Sequence, residues 1–316
     1  MLSKAGLDVL HTLDTGTTAT PAELAETTSY SQAHLYEVLD KLLDAGLLSE
    51  TRGHKNQRQV RVAGHPVVDA YRMLLAQLGH VDWAELLSPA TLRVCWYLDE
   101  PRRVAEIADR LDITRQAVHN ALAPLKGRAL LSPAGPEYAL SDDLEPLLAF
   151  ARAVVAHDHR QRVRKRAPSA TIAWCDPKRA LVRPQTADDT ETLQSDSGWQ
   201  VTGLARMRDH GLQFFLAGEP GFWYGPEATL TPAEIVCHTL VLDSDSRRVS
   251  YAMLLIEQLE IDQETLTATA AWYDLEPTIE ALYQALDGET DNVADDVVSL
   301  PSNTEFMRLK EQYGVS

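Results

Sequence analysis

The chain has 316 residues, 45% of them hydrophobic, enough for two or three small domains rather than one core that keeps growing. No run of about 18 apolar residues is present to span a bilayer. The N-terminus MLSKAGLDVLHTLD is interrupted by Lys4, Asp8 and His11, against a signal peptide, so a globular cytoplasmic protein is expected. The net charge of −17 argues at first against any polyanionic partner, but it is unevenly placed. Residues 1–166 hold 20 Lys and Arg against 21 Asp and Glu, net −1, whereas residues 167–316 hold 9 against 25, net −16. Three cysteines, Cys95, Cys175 and Cys237, are odd in number and far apart among apolar neighbours, which predicts buried thiols and no disulfide framework.

In chain order, Leu7, Val9, Leu10 and Leu13 predict a short amphipathic helix, and Pro21 opens a second with Leu24 and Ala25 behind it. After a break at residues 27–30, Ser31 is a candidate N-cap for a third helix, with Leu35, Val38, Leu39, Leu42 and Leu43 on one face. Gly46 suits the left-handed position that ends it. SETRGHKNQRQVRVAG then reads as a hairpin whose second arm alternates through Val60, Arg61 and Val62. A shift of 83 residues overlays a second copy: Glu23 on Glu106, Leu24 on Ile107, Ser31 on Thr114, Leu35 on Val118, Leu39 on Leu122, Leu42 on Leu125. The apolar positions coincide and the polar ones differ, which predicts one fold written twice with two different outward faces. The second copy opens with SPATLRVCWYLD and ends in the shorter hairpin SPAGPEYALS.

Three helices and a hairpin, with a polar helix opening on Ser or Thr, resemble the winged helix-turn-helix of MarR- and ArsR-type transcription regulators, over about residues 4–64 and 88–141. The phrase PAELAETTSYSQAHLYEVLDKLLDAGLLS is similar to that family's usual core. The resemblance implies double-stranded DNA as partner and the third helix of each copy in the major groove. The base-reading candidates are then Gln32, His34 and Tyr36 in the first copy and Arg115, Gln116, His119 and Asn120 in the second. Arg115 suits guanine and Gln116 suits adenine, whereas Glu37 and Asp40 would face phosphates unfavourably. Phosphate candidates are Ser31, Arg52, Lys55, Asn56, Arg58 and Arg61 around the first hairpin, and Thr114 in the second copy. The second hairpin carries Glu137 and no cation, so it is either a reader or a docking module.

Between the copies, HPVVDAYRMLLAQLGHVDWAELLSP predicts a connecting helix. After the second, LEPLLAFARAVVAHDHRQRVRKR predicts an apolar helix, a candidate dimerisation element, which would make the protein a homodimer on a two-fold site. It ends in Arg160, Arg162, Arg164, Lys165 and Arg166, either a basic arm for phosphates or an acidic partner, or the cation-rich end of a helix.

Beyond Pro168, ATIAWCD and RALVRPQ predict two strands around a turn, TADDTETLQSDSG a polar loop, WQVTGLARMRDHG a helix, QFFLAGE a strand and FWYGPE an aromatic turn. Four helices follow, TPAEIVCHTLVLD, DSRRVSYAMLLIEQLEI, DQETLTATAAWYD and LEPTIEALYQALDG, and then a solvated tail. TGLARMRDHGLQFFLAGEPGFWY, VCHTLVLD and LTATAAWYDLEPTIEALYQAL together resemble the C-terminal domain of AbiEi-type antitoxins. That resemblance implies a partner protein for the acidic half and repression of the protein's own operon. No Walker loop, GxGxxG, GxSxG or HExxH is present, so no enzyme, cofactor or metal is expected. The aromatic group Phe214, Phe215, Phe222, Trp223 and Tyr224 is either a ligand pocket or core. Few lysines, 7 against 22 arginines, and abundant aspartate resemble proteins of salt-adapted microorganisms, an archaeon by composition.

The fold class expected is mainly α with small β hairpins: two tandem winged-helix domains, 1–80 and 81–166, then an α+β domain, 167–290, and a polar tail, 291–316.

Overall fold

The computed structural model describes residues 2–13, 18–53, 57–214, 218–225, 229–288 and 298–315. They are mainly α with small antiparallel sheets. The chain divides into two compact units, residues 1–161 and 162–316, so both copies of the repeat fall in the first.

The first copy consists of α1 (Lys4–Thr12), α2 (Pro21–Thr28), α3 (Gln32–Asp44), β1 (Leu48–Arg52) and β2 (Arg58–Val62). Its helices start where side chains satisfy the orphan amides of the first turn. Thr20 and Glu23 form a reciprocal capping box ahead of Pro21, and Ser31 Oγ accepts from His34 N. Leu35, Val38, Leu39 and Leu42 put the apolar face of α3 inside, against α1 and α2. β1 and β2 pair from Leu48 with Val62 to Arg52 with Arg58. Ala19, ahead of α2, adds an antiparallel bridge to Val60.

The linker helix expected as one piece is two, α4 (Pro66–Leu78) and α5 (Trp83–Leu86), because Gly79 ends the first and Asp82 caps the second. The second copy comprises α6 (Pro89–Cys95), β3 (Arg102–Arg103), α7 (Val104–Leu111), α8 (Arg115–Lys126), β4 (Leu131–Ala134) and β5 (Glu137–Leu140). The repeat persists in backbone detail. At the 83-residue shift α2 falls on α7 end for end, and the Ala19 bridge to β2 falls on Arg102, which pairs with Tyr138 of β5. The left-handed Ser29 and Gly46 fall on the left-handed Asp112 and Ala129. Ala129 holds φ of +56° where the first copy has glycine at +71°. Alanine there costs about 1–2 kcal/mol, partly offset by glycine's larger unfolded-state entropy. Ala129→Gly is therefore expected to raise stability by about 1 kcal/mol, read as a higher urea midpoint; Gly46→Ala should lower it.

α9 (Glu145–Arg164) follows. Its apolar stripe, Leu147, Phe150, Ala151, Val154 and Val155, is buried within the single chain, with Phe150 against Tyr71 at 5.1 Å between ring centroids. This corrects its assignment as a dimerisation surface: the stripe already has its partner. Cys95 is also buried, which pushes its thiol up to about 12.

The second unit is built on an antiparallel sheet in the order β6 (Thr171–Cys175), β7 (Ala180–Arg183), β9 (Gly221–Tyr224), β8 (Trp199–Thr202). Alternation along the strands divides two cores. Ala180, Val182 and Phe222 face Val163, Leu193 and Trp199 on one side. Leu181 and Trp223 face a helical layer on the other, made of α12 (Pro232–Leu242), α13 (Ser246–Gln258), α14 (Gln263–Ala270), α15 (Glu276–Leu286) and α16 (Asn303–Tyr313).

Several expectations change here. TADDTETLQSDSG contains a helix, α10 (Ala187–Ser195), because Thr186 caps it and Leu193 anchors it inside. WQVTGLARMRDHG begins as β8, with only α11 (Leu204–Met207) and a short 3-10 turn helical, since Gly203 at φ +64° breaks the chain direction. FWY is central strand β9 rather than a turn, and Phe222 and Trp223 are fully buried, so this part of the aromatic group is core. The strand expected over QFFLAGE, with Phe215, falls in part on residues 215–217, outside the described residues. The tail is not wholly solvated: α16 buries Phe306, and Val298 and Val315 join the same core.

Candidate nucleic-acid interface

α3 and α8 each turn an apolar face inward, which leaves the polar residues of their first turns outside. Gln32, His34 and Tyr36 are exposed on α3, and Arg115, Gln116, His119 and Asn120 on α8. Ser31 and Thr114, expected as phosphate contacts, cap the two helices, accepting from the backbone amides of His34 and Ala117. Both hydroxyls keep a proton to donate. On α8 the amide of Gln116 donates to Asn120 Oδ1 at 2.9 Å, which sets the orientation of both side chains. On α3 the ring of His34 lies 5.4 Å from that of Tyr30, whose hydroxyl donates to Asp8 at 2.7 Å.

The first hairpin is less cationic than its sequence. Arg58 pairs with Asp40 of α3 at 2.6 Å and Glu50 of β1 at 2.9 Å, and its guanidinium lies 5.7 Å from the Tyr36 ring centre. Arg52 also pairs with Glu50, at 3.1 Å, and Arg61 Nε donates to Ser49 Oγ at 3.0 Å. Asp40 is thereby neutralised by the hairpin, which removes part of the repulsion expected between α3 and phosphate. Arg58 is a clamp between α3 and the hairpin. Lys55 and Asn56, with His54, lie outside the described residues.

The second hairpin has cations that its own sequence lacks. Arg103 pairs with Glu137 at 3.3 Å, and the Lys126 ammonium lies 5.6 Å from the Tyr138 ring centre. Both residues are distant in sequence from the turn, and only the pairing of β3 with β5 and the end of α8 bring them there.

The five basic residues at the end of α9 and beyond it are all exposed, and they do not act alike. Arg162 lies over the ring of Tyr224 at 4.4 Å, and Arg166 Nε is 3.0 Å from Asp196 Oδ2. Arg160, Arg164 and Lys165 have no ion-pair partner among the described residues. The flanking histidine His157 is buried against His65, with His157 Nδ1 and His65 Nε2 3.2 Å apart.

Residues 196–315 match the family model described as HVO_2833_C, C-terminal. The match runs from β8 to α16, so it concerns the second unit and leaves both copies of the repeat outside. No curated protein matches the chain. Among the described residues no helix is long and apolar enough to cross a membrane.

Proposed function

We propose that this protein is a sequence-specific DNA-binding transcription regulator of the tandem winged-helix kind, a cytoplasmic repressor without catalytic activity. The observation that carries the reading is the pair α3 and α8, equivalent at the 83-residue shift, each capped, each with its apolar face buried and an exposed, hydrogen-bonding first turn. Side chains of this kind fit base edges in the major groove. Arg115 reads guanine, Gln116 with Asn120 reads adenine, and Gln32, His34 and Tyr36 read the other half of the site. Arg61 and the cations at the end of α9 supply phosphate contacts, and a second copy of the chain extends the site by two-fold symmetry.

The test uses the full chain and sequences selected from a random duplex pool, with binding followed by fluorescence anisotropy at several salt concentrations. Arg115→Ala is expected to cost about 1–3 kcal/mol on the selected sequence and to relax preference at one base pair. On scrambled duplex it should change little. Arg164→Ala with Lys165→Ala should weaken all sequences alike and reduce the salt slope. If no sequence is enriched and binding shows no dependence on salt, the reading fails.

A second reading is favoured by the −16 charge of residues 167–316. The acidic unit would bind a basic protein partner, as an antitoxin or adaptor does, with the DNA contacts serving autoregulation. A basic protein that co-purifies with the full chain and dissociates in high salt would support it.

A further inference from the structure

The acidic unit brings three of its arginines to one place. Residues 167–316 hold 9 Lys and Arg against 25 Asp and Glu, yet Arg183, Arg247 and Arg248 line a single cavity of about 400 Å3. It lies between the end of β7, the start of β9 and the junction of α12 with α13. Among the described residues that line it, Glu219 is the one carboxylate, and its Oε2 already accepts from the Thr190 hydroxyl at 2.6 Å.

Each guanidinium is held from behind. Arg183 donates to the carbonyl of Leu242 at the C-terminus of α12, where a cation is favoured, and lies 3.8 Å from Asp243. Arg248 pairs with Asp243 at 3.2 Å and with Asp245. Arg247 Nε donates to the Tyr251 hydroxyl at 2.9 Å, with the guanidinium 5.5 Å from that ring centre. Asp243 and Asp245 do not line the cavity; they orient its walls. A guanidinium has five N–H donors, and these contacts use a minority of them. An ion-pair cluster at the helix junction would account for Arg183 and Arg248, but not for Arg247 beside the same cavity, nor for an open cleft of small-ligand size.

We propose that this cavity binds a small organic phosphomonoester, its phosphate cradled by Arg183, Arg247 and Arg248 and its organic part against Leu204, Pro220 and Leu242. Glu219, Asp243 and Asp245 offset the three positive charges, so recognition of a phosphate of charge near −2 at neutral pH rests on the N–H donors left over from these pairs rather than on net charge. The planar donors suit its oxygens, and preorientation reduces the entropy lost on binding. The proposal stands apart from the DNA reading and is tested without DNA.

Isothermal titration of the full chain at constant ionic strength would compare inorganic phosphate, ribose 5-phosphate and adenosine 5′-monophosphate with ribose and adenosine. Saturable binding is expected for the phosphates alone, with at least one ester about tenfold tighter than inorganic phosphate. Arg247→Gln, at an exposed rim position, should weaken that ester about tenfold or more without lowering the melting temperature of the unliganded protein. Arg248→Gln should weaken it as well. The proposal is overturned by no saturable binding of any phosphate, by inorganic phosphate binding as well as both esters, or by equal binding in the wild type and Arg247→Gln.

Discussion

Replacing His238 by phenylalanine is expected to destabilise the C-terminal unit by about 2–6 kcal/mol. His238 is fully buried in α12; its Nδ1 is 2.7 Å from the Thr202 hydroxyl and its Nε2 is 2.9 Å from the Tyr273 hydroxyl. Thr202 ends β8 and Tyr273 follows α14, so one imidazole connects the sheet to two helices of the layer above it. A phenyl ring has nearly the same shape but no nitrogen, and it would remove the imidazole hydrogen bond from each of two buried hydroxyls, at about 1–3 kcal/mol each. His238→Gln, which keeps one donor and one acceptor, should cost less. The Trp223 ring centre lies 4.3 Å from that of His238, and four of the six tryptophans lie in this unit, so urea unfolding followed by tryptophan fluorescence reports chiefly on it. A loss below about 1 kcal/mol would mean that water replaces the imidazole at both hydroxyls.

Acid is expected to weaken the N-terminal unit through His65 and His157. His65 Nδ1 accepts from the amide of Val67 as the cap of α4, so this nitrogen carries no proton and Nε2–H points at His157 Nδ1. Both rings are therefore neutral in the pair, and protonating either breaks a hydrogen bond. Burial, and then the neighbouring His65, lower the pKa of His157 from 6.5 to about 4. Burial and the charge of Arg160 lower that of His65. A depressed histidine pKa means that the unfolded chain binds more protons between the two values. The contribution of His157 is thus complete above pH 6.5, falls as pH falls towards 4 and is flat below that. The loss over that range is about 3 kcal/mol. Urea midpoints at a series of pH values should drop through this window in the wild type, and His157→Leu should remove most of that slope. A variant with the same slope as the wild type would place the acid sensitivity in the carboxylates.

Most of the first unit was legible because its signals are local. Pro21, Ser31, Gly46 and the apolar spacing from Leu35 to Leu42 each act within one or two helical turns, and all appear as expected. The four helices after Thr231 were legible for the same reason, beginning with its capping box to Glu234. The errors lie where a segment's apolar content is small and its partner distant. α10 has one fully buried leucine, Leu193, among polar residues, and reads as a loop without the sheet that receives it. α16 is mostly polar and is fixed by Phe306, while FWY takes its strand character from β7 and β8 on either side.

The sequence alone determined that one unit is written twice, where its helices begin and end, and which half carries the negative charge. Those properties depend on neighbours along the chain. Tertiary structure decided which charges remain available, because ion pairs form between residues that only packing brings together. It placed Asp40 on Arg58, closed the apolar stripe of α9 against the chain's own core, and drew Arg183 to the same cavity as Arg247 and Arg248.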